Sequence, residues 1–415
     1  MNSPTKNKNL SFPSQTHITA KMASLPTDII SEILCRLPVK TLLRFLCVSK
    51  SWYSLIKTPK FIKLHLNQTL KSNTNRHLLL THSTLSSGEL RRQFHFSEIK
   101  GHPFIGRFNP RKDTCPLGVP PDSCPLQPAG LQFHGSCNGV VCISDPEKID
   151  VVLYNPNTKT HRFLPKTENP YPDKFSIFGF GYDSGSDDYK VLRMMQCVGP
   201  NDEILNDARV YSLRKNSWRK IDHMPYHVIY DDGGVLLDGV LHYVASKVAF
   251  SRKTKSIAKF DIRTETYSVM DGPDYDRSLQ SWTMYLGNVN GCLSLSVNYD
   301  FHGRADLWVM KEYGKKESWM KAVCIGNHQG SLIDLRAIGC SDDGEKILVE
   351  MDNYELCWFD MRRQKSIRAG IEGLPKYNYR AAIYVESLVM LDGDRVQSQG
   401  SKVVSKGGKK GAIGR

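Results

Sequence analysis

The side chains able to do acid–base or nucleophilic work are present in this chain, but they do not gather into a constellation. Asp187 and Asp188 are adjacent, and paired carboxylates can share a proton or grip a cation. In Ser-Gly-Ser-Asp-Asp, however, they read as a turn whose carboxylates bond nearby backbone amides. Cys137 and Cys142 flank a short apolar run and read as buried thiols rather than ligands or nucleophiles. The 13 histidines are dispersed. The sequence holds no P-loop, no His-Glu-x-x-His helix, no Gly-x-Ser-x-Gly elbow and no Cys-x-x-Cys pair. The expectation is a chain that is not an enzyme and needs no cofactor or metal. What could act instead is contact chemistry. Tyr226, His227 and Tyr230, then Tyr275 and Arg277, then Tyr299, Phe301, His302 and Arg304, then Tyr377, Tyr379 and Arg380 are all expected outside strands. Tyrosine and arginine anchor protein interfaces, so these segments are the candidate target-binding loops, with a protein client favoured over a small molecule.

Those residues need a scaffold, and composition bounds it. With 415 residues, 40% hydrophobic and 24% charged, the chain has the profile of globular protein with room for two or three domains. No apolar run is long enough to span a bilayer and the first twenty residues hold no apolar secretory segment, so the cytosol or nucleus is expected. The eleven cysteines lack close pairs at ligand spacing and imply neither a disulfide framework nor a zinc site. The net charge of +14 resolves into +3 over residues 1–24, +6 over 25–71 and +5 over 396–415, leaving 72–395 neutral. A nucleic-acid domain would carry its basic face on the folded body, so no nucleic acid partner is expected. Residues 1–22 and the Gly, Ser and Lys-rich stretch 395–415 are expected to be disordered termini, the latter basic.

The chain divides by period. Over residues 23–71 apolar residues recur at helical spacing; from 76 to 394 short β-rich runs alternate with turn residues. Thr27 is placed to cap a first helix that carries Ile29, Ile30, Ile33, Leu34 and Leu37 and stops at Pro38. A second helix is expected from Lys40, a third from Ser49 or Lys50 to before Pro59, and a fourth around Phe61 to Leu66. A module of this size cannot bury so much apolar surface alone, which leaves some of it for a partner.

The run Leu25-Pro26-x-Asp28-Ile29-Ile30-x-x-Ile33-Leu34-x-Arg36-Leu37-Pro38-Val39-Lys40, continued by Val48-Ser49-Lys50-x-Trp52-x-x-Leu55-Ile56 and Phe61, resembles an F-box. The resemblance implies docking on a Skp-type adaptor and, through it, on a cullin scaffold and a RING subunit. It implies adaptor contact through Leu25, Pro26, Ile29, Ile33, Leu34, Leu37, Pro38 and Leu42, as helix-in-groove burial with rim charges assisting encounter.

The β body repeats. Turn-forming pairs stand at Asn138-Gly139, Ser184-Gly185, Asp238-Gly239, Asn290-Gly291, Asp343-Gly344 and Asp392-Gly393, 46 to 54 residues apart. An aromatic follows in each unit at Tyr154, Tyr211, Phe260, Trp308 and Phe359, and a bulky residue at Phe163, Trp218, Tyr267, Trp319 and Ile367 marks the returning strand. Three marks recurring near 50 residues predict blades of about four short strands that cannot bury their faces without neighbours. The expected fold is therefore mainly β with a small all-α N-terminal module: a propeller-like body of six blades. The sixth would form where Ala382 to Leu391 joins the early strands around His77–His82 and Leu90–Phe96, which removes exposed sheet edges. A large β-sandwich is the alternative. The tryptophans of the body, Trp218, Trp282, Trp308, Trp319 and Trp358, read as core.

The body carries a resemblance too. Val152-Leu153-Tyr154-Asn155-Pro156-x-Thr158, Phe178-Gly179-Phe180-Gly181-Tyr182-Asp183, Asp187-Asp188-Tyr189-Lys190-Val191 and Asp306-Leu307-Trp308-Val309-Met310-Lys311-Glu312-Tyr313-Gly314 are similar to the F-box-associated domain of plant F-box proteins, a relative of Kelch propellers. The regular Gly-Gly pair of a true Kelch blade is missing. The resemblance implies a substrate receptor of an SCF-type cullin-RING ubiquitin ligase that binds a protein substrate for ubiquitination and degradation. It extends to members that restrain immune-receptor levels and to pollen S-locus F-box proteins of self-incompatibility. Two other readings stay open: a scaffold that binds the adaptor without promoting degradation, and a propeller enzyme or carbohydrate binder carrying an F-box.

Overall fold

Three prolines, Pro26, Pro38 and Pro59, punctuate the N-terminal module. A computed structural model describes residues 25–391 except 73–74, 87–88, 99–104, 108–131, 146–149, 169, 171–175, 201–202, 230–232, 250–254, 279–281, 300–301, 327–333, 342, 353–354 and 373–378. Helix α1 (Thr27–Leu34) begins after Pro26, which takes the capping position without a side-chain hydrogen bond; Thr27 is the first helical residue and not the cap expected for it. Pro38 ends the turn after α1 and precedes α2 (Val39–Phe45), where its fixed φ suits a helix start. Ser49 accepts the Trp52 N–H at 3.1 Å and caps α3 (Lys50–Ile56), and α4 (Pro59–Ser72) runs into the β body. The four helices close around Leu34, Cys35, Val39, Leu42, Ile56 and Phe61.

From there the chain builds sheets arranged in a ring. Blade 1 comprises Gln132–Cys137, Val140–Asp145, Asp150–Asn155 and Thr160–Phe163. Blade 2 comprises Ser176–Asp183, Asp188–Val198, Ile204–Ser212 and Ser217–Lys220. Blade 3 has five strands: His227–Val228, Val235–Leu237, Val240–Ser246, Lys255–Asp261 and Tyr267–Met270. Blade 4 comprises Trp282–Val289, Cys292–Tyr299, Arg304–Met310 and Trp319–Gly326, and blade 5 Leu335–Cys340, Lys346–Met351, Glu355–Asp360 and Lys365–Arg368. In place of a sixth four-stranded blade stands a three-stranded closing sheet. Its strands are Tyr379–Val385, Arg76–Ser86 and Glu89–Glu98, with Leu79 opposite Ala382 and Phe96 opposite Leu79 on the other side. A short parallel pair joins Ile105–Arg107 to Gly370–Glu372.

The joint between the chain's ends is the one the sequence suggests, but its C-terminal strand stops at Val385. Residues 386–391 leave the sheet and run elsewhere. Among the described residues the molecule is thus a propeller of five blades with a closing sheet between blades 5 and 1, rather than six equal blades or a sandwich.

The repeating marks have physical reasons. Asn138-Gly139, Asp238-Gly239 and Asn290-Gly291 each put two successive residues at positive φ, the two-residue hairpin turn that matches strand twist. They join the innermost strand of a blade to the next. In blade 2 the positive φ falls on Asp187 instead of Ser184-Gly185. Asp392 and Gly393 lie outside the described residues. Tyr211 stacks across from Trp218 at 5.4 Å and Phe260 from Tyr267 at 5.0 Å, third strand against fourth. Apolar cores fill the spaces between neighbouring sheets all round the ring, and Trp282, Trp319 and Trp358 are buried in them as expected. The termini 1–22 and 395–415, expected to be disordered, lie outside the described residues.

Candidate functional site

Helix α1 splits its apolar residues between two faces. Leu34 is 2% exposed and packs in the helical core, as does Leu42 on α2. One position earlier in the turn the geometry reverses: Leu25, Ile29 and Ile33, four residues apart, keep 59%, 47% and 52% of their surface open. Pro26 and Pro38 are exposed beside them and Leu37 is half-buried. The sequence-derived adaptor set therefore divides. Leu25, Pro26, Ile29, Ile33 and Pro38 form an uncovered ridge, while Leu34 and Leu42 are corrected to private core, because an apolar stripe wider than one helix face must turn part of itself inward. A cleft between α2 and α3 is lined by Leu46, Cys47, Val48, Lys50 and Tyr53, of which Val48 and Tyr53 are exposed. Arg36, Lys40, Arg44, Lys50 and Lys60 of the module are also exposed. The module thus carries an open apolar ridge with exposed charges of both signs, Asp28 and Glu32 on α1 itself and the basic excess elsewhere on the helices, suited to a partner that supplies a groove.

The helices sit over one end of the propeller. Lys63 of α4 lies 3.5 Å from Asp187, in the turn between the first two strands of blade 2. In antiparallel blades that end holds the turns between strands one and two and between strands three and four; the opposite end holds the second-to-third turns and the links between blades. The candidate loop residues belong to the far end, but several are not loops. Tyr299 ends the second strand of blade 4, Arg304 begins its third, and Tyr379 begins the closing strand. Tyr299 and Tyr379 are each 1% exposed and Tyr275 is 7% exposed, so these three rings pack inside instead of facing a client. For Tyr299 the reason is local: its Oη donates to Asp306 at 3.0 Å and accepts the Asp276 N–H at 3.2 Å, so this phenol is buried without an unmet polar atom. Tyr226 is half-buried against the core between blades 2 and 3. Tyr230, Phe301 and Tyr377 lie outside the described residues.

What the far end does present is arginine carried on buried aromatics. Arg277, exposed, lies 5.1 Å over the Tyr275 ring. Arg304 lies 4.7 Å over Tyr299 and bonds Asp306 at 2.8 Å, and Arg380 lies 5.5 Å over Tyr285 and pairs with Asp334 and Glu350. The guanidinium groups are preorganised by stacking and ion pairs, the form in which arginine anchors an interface at low entropic cost.

The residues first weighed for chemistry are structural. Asp188 accepts the Arg214 N–H at 2.8 Å and a bond from Ser212, and Asp187 holds Lys63 and the Tyr182 hydroxyl. Burial pushes the Cys137 thiol up to about 12 and the Cys142 thiol higher still, so neither is a ready nucleophile. Among the described residues no group of three or more His, Cys, Asp or Glu is placed to hold a metal ion, and no helix is long and apolar enough to cross a membrane.

Sequence reasoning missed one cluster. Glu386, Ser387 and Leu388, just beyond the closing strand, lie between the helices and the propeller, and Asn155 binds Ser387 and Val389. Asn155 stands in a stretch singled out for its resemblance, but its partners are more than 200 residues away and no local pattern announces them.

Comparison with known proteins agrees with this architecture. Residues 22–64 match the F-box domain and residues 107–392 the F-box associated beta propeller domain. F-box protein CPR1 of Arabidopsis thaliana is 32% identical over 394 residues, covering 89% of each chain. F-box protein At4g22390 of the same plant is 30% identical, covering 92% of this chain and 94% of its own, and F-box/kelch-repeat protein At3g23880 is 29% identical over 73% and 79%. With the helical module at one end, the associated propeller behind it and relatives that run the length of both, this chain belongs to the F-box proteins with an F-box-associated β-propeller.

Proposed function

We propose that the protein is the substrate-recognition subunit of an SCF-type ubiquitin ligase, acting in the cytosol or nucleus. The observation that carries the reading is the uncovered ridge Leu25, Ile29 and Ile33 on a module that matches the F-box. In this reading a Skp-type adaptor covers the ridge and brings the cullin and RING subunits, while the propeller end remote from the helices, with Arg277, Arg304 and Arg380, meets the target protein. The chain then supplies position rather than a reacting group. Holding a target's lysines near the conjugating enzyme raises their effective concentration to roughly the millimolar range. By the resemblance of its motifs, the target class we favour is an immune receptor whose abundance is held down; a self-incompatibility role is the alternative.

The test is co-purification of the full chain with a Skp-type adaptor, followed by the half-life of proteins captured by proximity labelling with and without the chain. Adaptor binding that is lost in Ile33→Asp, together with a client whose half-life shortens, supports the receptor. Adaptor binding with unchanged turnover of every captured client replaces it with the scaffold, and no adaptor binding by the wild-type chain removes both.

A further inference from the structure

The helical core is not completed by the helices. Beside Leu34, Val39, Leu42, Ile56 and Phe61 its remaining large buried side chain is Leu388, 4% exposed, delivered from the far end of the chain. Residues 386–391 form a strap that touches both bodies. On the helical side Glu386, 6% exposed, accepts the N–H of Val39, the first residue of α2, at 2.9 Å through Oε2. Its Oε1 lies 2.9 Å from His77 Nε2 in the closing sheet, and its own N–H donates to the Asn75 carbonyl at 2.9 Å, where α4 hands over to the sheet. On the propeller side Asn155 Nδ2 donates to the carbonyls of Ser387 and Val389 at 3.1 and 2.8 Å. Thr158 Oγ1 donates to the Val389 carbonyl at 3.1 Å, Thr160 Oγ1 accepts the Leu391 N–H at 3.1 Å, and Val389 and Leu391 pack into the core between blades 1 and 2.

A buried carboxylate bonded to two separate bodies is costly to break, because removing one contact leaves a charge without its partner. The ion pair that crosses the junction among the described residues, Lys63 with Asp187, is exposed at both ends and worth little. The strap also follows directly from the strand that closes the ring, so the seat of the F-box exists only when Tyr379–Val385 has paired with Arg76–His82.

We propose that this strap, with Glu386 as its pin, fixes the F-box at one angle to the propeller and makes that angle conditional on ring closure. The consequence for ubiquitin transfer rests on the receptor reading above; the orientation itself does not. The test uses the full chain with spin labels on the exposed thiols Cys47 in the F-box and Cys324 in blade 4, in a background where Cys115, Cys124, Cys137, Cys197 and Cys292 are Ser. The background protein should give one narrow distance distribution. Glu386→Ala and Asn155→Ala should each broaden it about two-fold, while Glu386→Gln, which can still bond Val39 and His77, should leave it near the background. Adaptor affinity should stay within about three-fold in all of them, since the ridge is untouched. Narrow distributions in both alanine variants, or a broad one in the background, would overturn the proposal. Broadening in Asn155→Ala alone would remove Glu386 as the pin. Absence of adaptor binding in the unsubstituted chain would sink the receptor reading and leave the distance result standing.

Discussion

Ile33 and Leu34 are adjacent, similar in size and opposite in exposure, at 52% and 2%, so substituting them separates binding from folding. Burying an Ile fully is worth about 1.5–3 kcal/mol, and Ile33 has about half of that left to gain; Ile33→Ala should weaken adaptor binding by about 1 kcal/mol, roughly five-fold in Kd. Ile33→Asp adds the cost of desolvating a carboxylate, at least about 2 kcal/mol more, for a loss of about 100-fold or greater. Neither should move unfolding free energy by more than about 0.5 kcal/mol, because the site is on the surface of the free chain. Leu34→Ala should do the reverse, costing about 2–5 kcal/mol of stability through the cavity it leaves in the helical core. Calorimetric titration of the purified chain with a Skp-type adaptor gives one axis and chemical denaturation the other. Ile33→Asp binding within about three-fold of wild type would refute the assignment of the ridge, and Leu34→Ala weakening the adaptor without losing stability would refute the division of the helix into two faces.

Other expectations are sharp enough to fail. A Cβ at Gly139 would lie 2.3 Å from Ser387 Oγ at φ +80°, whereas at Gly291, φ +73°, it would meet open space. Gly291→Ala should therefore cost about 1 kcal/mol of unfolding free energy and Gly139→Ala at least about 3, and equal costs would deny the tight seat of the strap. Burial holds His134 neutral, pushing its pKa down from 6.5 to about 3, while the unfolded chain takes up the proton near the ordinary value. Its contribution is thus intact above pH 6.5 and declines as pH falls toward 3; between pH 7 and 5 about 2 kcal/mol should go. His134→Gln, compared by denaturant midpoint at both pH values, should show a correspondingly shallower dependence. Iodoacetamide at pH 8 should alkylate exposed Cys47 and spare Cys142, read by peptide mass spectrometry; rapid modification of Cys142 in the native chain would contradict its burial.

Local chemistry carried the parts of the fold that were legible in advance. Asn-Gly and Asp-Gly name their own turn because few other residues tolerate two positive φ values in succession, and the paired aromatics of third and fourth strands announce hairpins by spacing. Ser-Gly is a weaker turn signal than Asn-Gly or Asp-Gly, and at Ser184-Gly185 the positive φ sits on Asp187 instead. The parts that were not legible depend on distant partners. Periodicity places Ile33 and Leu34 on one stripe; which of them faces out depends on the core that Leu34 joins, and one member of that core, Leu388, comes from beyond the closing strand. Tyr299 and Tyr379 look like loop residues because phenols favour boundaries and turn-forming residues flank them. Asp306, seven residues after Tyr299, supplies the hydrogen bond that lets the phenol go inside.

The closing sheet has a consequence at the ribosome. The helices and the strand Arg76–Ser86 emerge first, and the strand that completes their sheet emerges only after all five blades have been made. Throughout that interval the nascent chain displays an open β edge next to a greasy helix whose filling residue, Leu388, has not yet been translated. On the proposed receptor reading, early capture of the helices by the adaptor would shield that surface during elongation. Messages cut short upstream of the last strand would yield products that still carry the helical module but lack a finished ring, and on the proposed receptor reading such fragments would compete with the intact protein.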